Sequence, residues 1–345
     1  MKIAATLLTI VSALVVAGSL YHLATSAKGP VGENALETRD TATYDAWMHW
    51  KKTYNREYLS SVEHDYRFSV FKNNKKRIVD HYALAGEERT YTLGLTVFAD
   101  LTEEEFRAQY LGLKQTAPQT TNIQKLSGAV PDAVNWRDAG AVTGVKNQGS
   151  CGSCWAFSAI GALEGLNYQK NKSLLSFSEQ QLVDCEKQDQ GCGGGLMENA
   201  FSYVKQNGIT LEGNYPYKGR DQTCAYDVKD SAFKIADFQG VPHSDQDALK
   251  AASAQQVVSV GVSAAGIFQL YFGGVFNIKF LCLGGIDHGV TLVGYGHQSF
   301  GGDYWLVKNS WGGLWGEKGY IKLGRTTGTG RGQCGITEQA SYPTA

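Results

Sequence analysis

Seven cysteines do most to limit what this chain can fold into, and none of them precedes residue 151: Cys151, Cys154, Cys185, Cys192, Cys224, Cys282 and Cys334. An odd number in an exported chain leaves three disulfides and one spare thiol, or a thiol paired between molecules. Zinc is the main rival for such residues. It calls for a second close cysteine pair or a nearby histidine pair, and only Cys151 and Cys154 stand at ligand spacing. The sequence therefore argues against a metal site.

Export is written at the start of the chain. Lys2, the apolar run from Ile3 to Ala17 and the small residues Ala17, Gly18 and Ser19 read as a secretory signal peptide over residues 1–19. The run falls short of the ~20 residues that span a bilayer. No later segment is long and apolar enough to do so, and no stable membrane span is expected. An exported chain is also one in which disulfides persist. The net charge of −1 gives no basic surface balance that would suggest nucleic acid. The 345 residues allow about two folding units with short extras, and a hydrophobic share of 43% supports a packed core.

Composition shifts near residues 114–130. The part before it is dense in charge and free of cysteine, while most glycines follow it. The stretch from Gly112 to Gly128, GLKQTAPQTTNIQKLSG, is polar and turn-rich, as an exposed linker is. The first part has helical spacing. Trp47 and Trp50 share a face in residues 42–52, and Phe71, Ile78 and Tyr82 share one in residues 59–83, where Glu63 and Arg67 form a favourable i, i+4 pair. In the second part, residues 154–170 have helical spacing, and Ser178 with Gln181 signals a capping box. Segments 257–262, 289–296, 303–311 and 319–324 read as strands separated by glycine. Helices first and strands later predict an α+β fold with a helical and a β-rich lobe.

The segment from Lys146 to Phe157, KNQGSCGSCWAF, carries the chemistry. Ser153 is a good N-cap, which places Cys154 in the first helical turn, where the dipole favours a thiolate. A thiolate attacks carbonyl carbon and needs a base. After residue 130 the histidines are His243, His288 and His297. His288 stands at the head of an apolar strand and can be held rigidly, whereas the other two lie in polar loops or turns. Asn309 ends another strand, and its amide oxygen could fix the imidazole tautomer beneath the indole of Trp311. Asp287 is the weaker partner, because strand neighbours face opposite ways. Gln148, six residues before Cys154, offers an oxyanion donor.

At these residues the chain resembles the papain-family, cathepsin L-like cysteine endopeptidases in precursor form. The resemblance rests on GSCGSCWAFS, GCGGGLMENAF, DHGVTLVGYG and KNSWGGLWGEKGY, and covers nearly all of residues 40–345. It implies a papain-like two-lobed fold, a helical lobe plus an antiparallel β-barrel-like lobe, behind a helical prodomain. The expected division is a signal peptide over 1–19, an inhibitory propeptide over 20–129 and a peptidase domain over 130–345, with the mature chain beginning near Val130. Cys154 would be the nucleophile, His288 the base, Asn309 the orienting group and Gln148 the oxyanion donor. No metal or organic cofactor is implied.

The resemblance further implies disulfides Cys151–Cys192, Cys185–Cys224 and Cys282–Cys334, leaving Cys154 free. Gly193, Gly194 and Gly195 would line the cleft, where substrate main chain pairs as an added strand. Leu196, Met197, Gly261, Ile286 and Gln339 would wall the pocket for the P2 side chain, giving a hydrophobic preference. The polar Gln339 on its floor is expected to admit longer or polar groups as well. Glu63, Arg67, Phe71, Asn74 and Ile78 keep the spacing of the family's prodomain helix, with Tyr82 as a departure. Gly94, Thr96, Phe98 and Asp100 match the element that follows, with Thr96 in place of Asn. Gly193 and Val257 depart from the family's usual Asn and Pro.

The expected partners are protein and peptide substrates and the chain's own propeptide, with a monomer as the expected state. The expected destination is the secretory pathway, ending in a lysosome-like or digestive vacuole or outside the cell. Asn171, in Asn171-Lys172-Ser173, is an acceptor for N-glycosylation. Prodomain carboxylates at Asp100, Glu103, Glu104 and Glu105 are expected to lose charge in acid and loosen the inhibitor. Two rivals stand beside this reading. One is a non-catalytic binding protein on the same fold, which would usually have lost Cys154 or His288. The other is a thiol–disulfide oxidoreductase pairing Cys151 with Cys154.

Overall fold

The computed structural model describes residues 33–84, 89–115, 130–277, 282 and 284–345. The signal-peptide segment and residues 116–129 of the expected linker lie outside them. The chain divides into two compact units, Met1–Glu57 and Tyr58–Ala345. In the first, helix α1 (Glu33–Thr53) carries Trp47 and Trp50, whose rings stack at 5.2 Å. Their i, i+3 spacing brings them together on one helical face.

The second unit opens with α2 (Ser61–Leu84), whose start is held by Ser60 Oγ accepting from the Glu63 N–H at 3.1 Å. Strand β1 (Tyr91–Leu93) and α3 (Glu103–Tyr110) follow. Thr102 and Glu105 form a full reciprocal capping box at the start of α3, which fixes where the helix begins and how the chain leaves it. Ile78 and Tyr82 of α2 pack with Tyr91, Leu93, Phe98 and Phe106 into one of two apolar cores. Asn74 donates through Nδ2 to the carbonyls of Ala99 and Leu101, both at 2.9 Å, stitching α2 to the loop before α3.

Beyond residue 130 the elements are β2 (Val134–Asn135), α4 (Cys154–Asn171), α5 (Glu179–Cys185), α6 (Met197–Asn207), β3 (Asp237–Gly240), α7 (Gln246–Gln255), β4 (Val258–Val262), β5 (Tyr271–Phe276), β6 (His288–Gln298), β7 (Gly302–Lys308), β8 (Tyr320–Gly324) and β9 (Ala340–Thr344). The four segments read as strands from the sequence correspond to β4, β6, β7 and β8. Strands β1, β2, β3, β5 and β9 are not read from the sequence, and the first three are only two to four residues long. The sheet order is β1-β5-β8-β7-β6-β4-β9-β3, with β2 on β6. One pair departs from the antiparallel expectation, since β5 runs parallel to β8.

Helix α4 is buried on almost every side, which its apolar composition requires. Small residues let it lie against the sheet: Ser158 Oγ donates to the Val290 carbonyl at 2.6 Å, and Ser259 Oγ donates to the Ser158 carbonyl at 2.8 Å. Helices α4, α5 and α6 share the second core, with Leu163, Leu182, Met197 and Phe201 among its members. The disulfides Cys151–Cys192, Cys185–Cys224 and Cys282–Cys334 are present, and Cys154 is free.

Candidate active site

Cys154 is the first residue of α4, and its position there differs from the expectation in one respect. Ser153 occupies the N-cap but makes no capping bond, because its hydroxyl pairs with the Tyr217 hydroxyl at 2.6 Å. Ser178 does cap α5, accepting from the Gln181 N–H. The reciprocal half of that box is missing because the Gln181 side chain reaches Tyr203, Gly208 and Thr210.

His288 opens β6, paired with Val262 of β4, and Asn309 follows directly on β7. Since β6 and β7 are neighbours with Thr291 opposite Lys308, the sheet delivers both side chains to one place. His288 Nε2 meets Asn309 Oδ1 at 2.8 Å. The same oxygen accepts from the Ser310 N–H at 2.8 Å, so it is the amide's acceptor end and the imidazole donates through Nε2. His288 Nδ1 is left buried without a hydrogen-bond partner among the described residues. Trp311 lies over the ring, with centroids 4.5 Å apart and planes within 25°. Asp287 turns its carboxylate to the Ala264 N–H at 2.8 Å.

Gln148 is pinned from both ends. Its N–H donates to the Ser310 carbonyl at 2.8 Å, and its Oε1 accepts from Ser310 Oγ at 2.7 Å. Its Nε2 therefore has a fixed aim, and it donates to the carbonyls of Cys151 at 2.9 Å and Tyr110 at 3.1 Å. Tyr110 lies in the part of the chain expected to be propeptide, and residues 112–114 pass against Gly195.

The details of that passage were not legible in the sequence, where Gly112 onward reads only as linker. The Gly195 N–H donates to the Gly112 carbonyl at 2.9 Å, and the Lys114 N–H donates to the Gly195 carbonyl at 3.0 Å. The Leu113 N–H donates to the Asp287 carbonyl at 3.1 Å. A Cβ on Gly112 would fall inside the Gly152 carbonyl group, so only glycine passes here. Gly194, at φ +106°, is equally committed to glycine and faces the Gly112 carbonyl. The Gly193 N–H bonds to the Gln190 carbonyl at 2.7 Å.

Leu113 enters the expected P2 pocket. Its Cδ2 stands 2.8 Å from where a Cβ of Gly261 would be, and the Gln339 Cβ lies 3.4 Å from that point. Met197 and Ile286 belong to the same apolar cluster as Leu113. The Leu196 N–H is held by Asp189 Oδ2 at 3.0 Å, which fixes the strand edge beside the pocket. On the other flank, Phe98 and Phe106 pack edge-on against Trp311 at 5.3 and 5.1 Å. Exposed Asn171 ends α4 far along the helix from Cys154, its Nδ2 donating to Asn167 Oδ1 at 2.7 Å.

This covering decides the protonation of the pair. Burial raises the Cys154 thiol to about 11, although the N–H groups of Gly289, Gly112 and Trp155 pull the other way. Burial also lowers the His288 imidazole to about 4, against the opposing bond to Asn309. Burial thus works against the expected dipole-stabilised thiolate in the covered form.

The chain matches the model for papain family cysteine proteases over residues 130–344, and that for the cathepsin propeptide inhibitor domain (I29) over residues 47–106. It belongs to the papain family. It is 47% identical over 310 residues to the probable cysteine protease RD21B of Arabidopsis thaliana, covering 87% of this chain and 65% of that one. It is 45% identical over 310 residues to the senescence-specific cysteine protease SAG12 of the same plant, covering 86% and 89%. Its structure matches that of digestive procathepsin L 3 from Tenebrio molitor larval midgut with a TM-score of 0.80 and 36% identity, covering 88% and 99%. This papain-family protein is therefore a cysteine protease with a propeptide inhibitor domain, a zymogen with three disulfides. Among its described residues, no helix is long and apolar enough to cross a membrane.

Proposed function

We propose that this protease is an endopeptidase in which Cys154, His288, Asn309 and Gln148 perform acyl transfer. One observation supports the reading most strongly. The chain's own segment 110–114 bonds to Gly195, fills the apolar pocket with Leu113 and presents a carbonyl to the Gln148 amide, as a bound peptide would.

In the uncovered enzyme the Cys154 proton passes to His288 Nδ1, the ring atom that Asn309 leaves free by holding Nε2. The sulfur attacks the peptide carbonyl carbon, forming a C–S bond, and the carbonyl electrons move to oxygen. Gln148 Nε2 stabilises that oxyanion, and loss of such a donor costs ~3 kcal/mol. The C–N bond then breaks as His288 gives its proton to the leaving amine. Water, deprotonated by His288, attacks the thioester carbonyl carbon, and the C–S bond breaks to release the acid and return the Cys154 thiolate beside protonated His288. Trp311 excludes water from the His288–Asn309 bond. Leu196, Met197, Gly261, Ile286 and Gln339 receive a hydrophobic P2 side chain.

The propeptide, taken as residues 20–129 and removed near Val130, holds the site closed. The Gly112 N–H of this segment is directed at the Cys154 sulfur. A signal peptide over residues 1–19 would deliver the precursor to a vacuole or to the outside, with Asn171 as a glycosylation site. The test is Cys154→Ala in the full chain, processed by added active protease. Hydrolysis of a leucine-P2 peptide should vanish with the fold retained by circular dichroism, and undiminished hydrolysis overturns the reading.

A further inference from the structure

The P2 pocket has a charged residue behind its floor. Gln339 is buried and stands beside the seat of Leu113, its own carbonyl taking the Gly261 N–H at 2.7 Å. Its side-chain Nε2 donates to Glu198 Oε2 at 3.3 Å. Glu198, second residue of α6, is buried too, and its other oxygen accepts from Ser341 Oγ at 2.8 Å. The first turn of the helix and the serine hydroxyl offset the cost of placing a carboxylate there.

A carboxylate only accepts hydrogen bonds. It therefore settles which end of the Gln339 amide it faces: the NH2 turns to Glu198 and the Oε1 turns away from it. No described residue donates to that oxygen. Leu113, the present occupant, has no donor to give it. The pocket thus joins apolar walls to an amide whose NH2 end is held by the Glu198 carboxylate. Arg331, a cation on the Ile286 side, donates to the Gly284 carbonyl at 3.2 Å.

We propose that Glu198 is a specificity-positioning residue, which aims the Gln339 carbonyl into the pocket so that the protease accepts P2 side chains ending in a cationic donor, lysine above all, beside apolar ones. This rests on the assignment of the pocket in the proposed function. A P2 lysine would lay its stem along Met197 and Ile286 and donate its ammonium to Gln339 Oε1. In this arrangement Gln339 touches substrate, and Glu198 acts through it.

The experiment uses the full precursor, processed in acid, and two peptides that differ only at P2, lysine or norleucine. These side chains share a stem and differ at the terminal ammonium. In the wild type both are cleaved. Glu198→Gln should lower the lysine-to-norleucine ratio of kcat/KM roughly tenfold, the scale of a charge-assisted hydrogen bond, with norleucine cleavage as the internal reference. Gln339→Leu should lower the ratio at least as far, and it decides the matter if the Glu198 variant does not fold. Glu198→Asp, which keeps the acceptor, should restore part of the ratio. An unchanged ratio in both removing variants, or a wild type that cleaves norleucine and refuses lysine, overturns the proposal while leaving the peptidase reading intact. A wild type that cleaves neither peptide overturns that reading as well.

Discussion

The backbone carbonyl of Tyr110 accepts from the Gln148 side chain at 3.1 Å, so the amide proposed to hold an oxyanion is occupied by the chain's own propeptide. Two residues further on, the Gly112 N–H addresses the Cys154 sulfur, and Leu113 packs next along beside Gly261 in the proposed P2 pocket. In the proposed reading, inhibition and substrate recognition draw on the same donors and the same apolar surface.

Gly112 is the point where this arrangement breaks most easily. A methyl group there collides with the Gly152 carbonyl, a backbone group that cannot swing away. Gly112→Ala should weaken closure of the cleft, so that the unprocessed precursor hydrolyses a leucine-P2 peptide at pH 7 at least roughly tenfold faster than the wild-type precursor, given overpacking costs of ~1–3 kcal/mol. Equal rates in the two precursors count against the steric account.

Thiol reactivity reports the cover over Cys154. With the thiol raised to about 11 by burial, a fraction on the order of 10⁻⁴ is ionised at pH 7 in the precursor. Alkylation by iodoacetamide should be slow, and should accelerate at least ~100-fold once the propeptide is removed. Mass spectrometry should find the label on Cys154 alone. A label shared with Cys151 would instead favour redox chemistry, which the Cys151–Cys192 bond opposes.

Acid should loosen the prodomain through Glu105. Burial pushes its carboxyl up, but the Thr102 N–H and the Arg67 guanidinium, 2.7 Å away, outweigh this and hold it below its ordinary value of 4.5. A carboxyl with a depressed folded value stabilises above its unfolded value and loses that contribution as pH falls through the folded one. The contribution is thus complete above about pH 5 and fades below 4.5. Autoprocessing of the precursor should rise steeply there, and Glu105→Gln should process faster at pH 5 to 6 with a flatter pH profile. A wild-type precursor that processes no faster in acid than at pH 7 rules this out.

Lys146 anchors a buried charge cluster beside the site. Its Nζ lies 2.7 Å from Glu179 and 3.0 Å from Glu164, and both carboxylates are almost wholly enclosed. Burial alone would lower the lysine, but the two acids reverse that and raise it well above its ordinary value. Lys146→Met removes the cation that touches both buried carboxylates and leaves the more distant Lys308, at a cost of up to about 3–5 kcal/mol. The Tm at pH 7 should fall by roughly 5–15 °C and recover in part in acid, because burial already pushes the Glu179 carboxyl up. An unchanged Tm would show that the cluster adds nothing to stability.

Much of the site could be read from local pattern. The helical spacing after Cys154 and the alternation before Asn309 are set by neighbours within a turn or a pleat, and these periods are written in the chain. Aromatic residues at Trp311, Phe98 and Phe106 were visible too, but not that they would meet. Ser153 shows the limit of such reading: it occupies the cap position, and a distant Tyr217 takes its hydroxyl. Glu198 shows it again, since nothing in its surroundings along the chain points to Gln339, 141 positions away.

By itself the sequence determined the α+β class, the odd cysteine, the residue types able to perform acyl transfer and the family that combines them. The tertiary structure alone decided that β6 and β7 lie side by side and so hold His288 on Asn309, that residues 110–114 pair with Gly195, and that burial pushes the Cys154 thiol up. The reason is range. Helical and strand periods act over a few residues, whereas desolvation, close backbone passage and the aim of a buried amide depend on groups brought together from opposite parts of the chain.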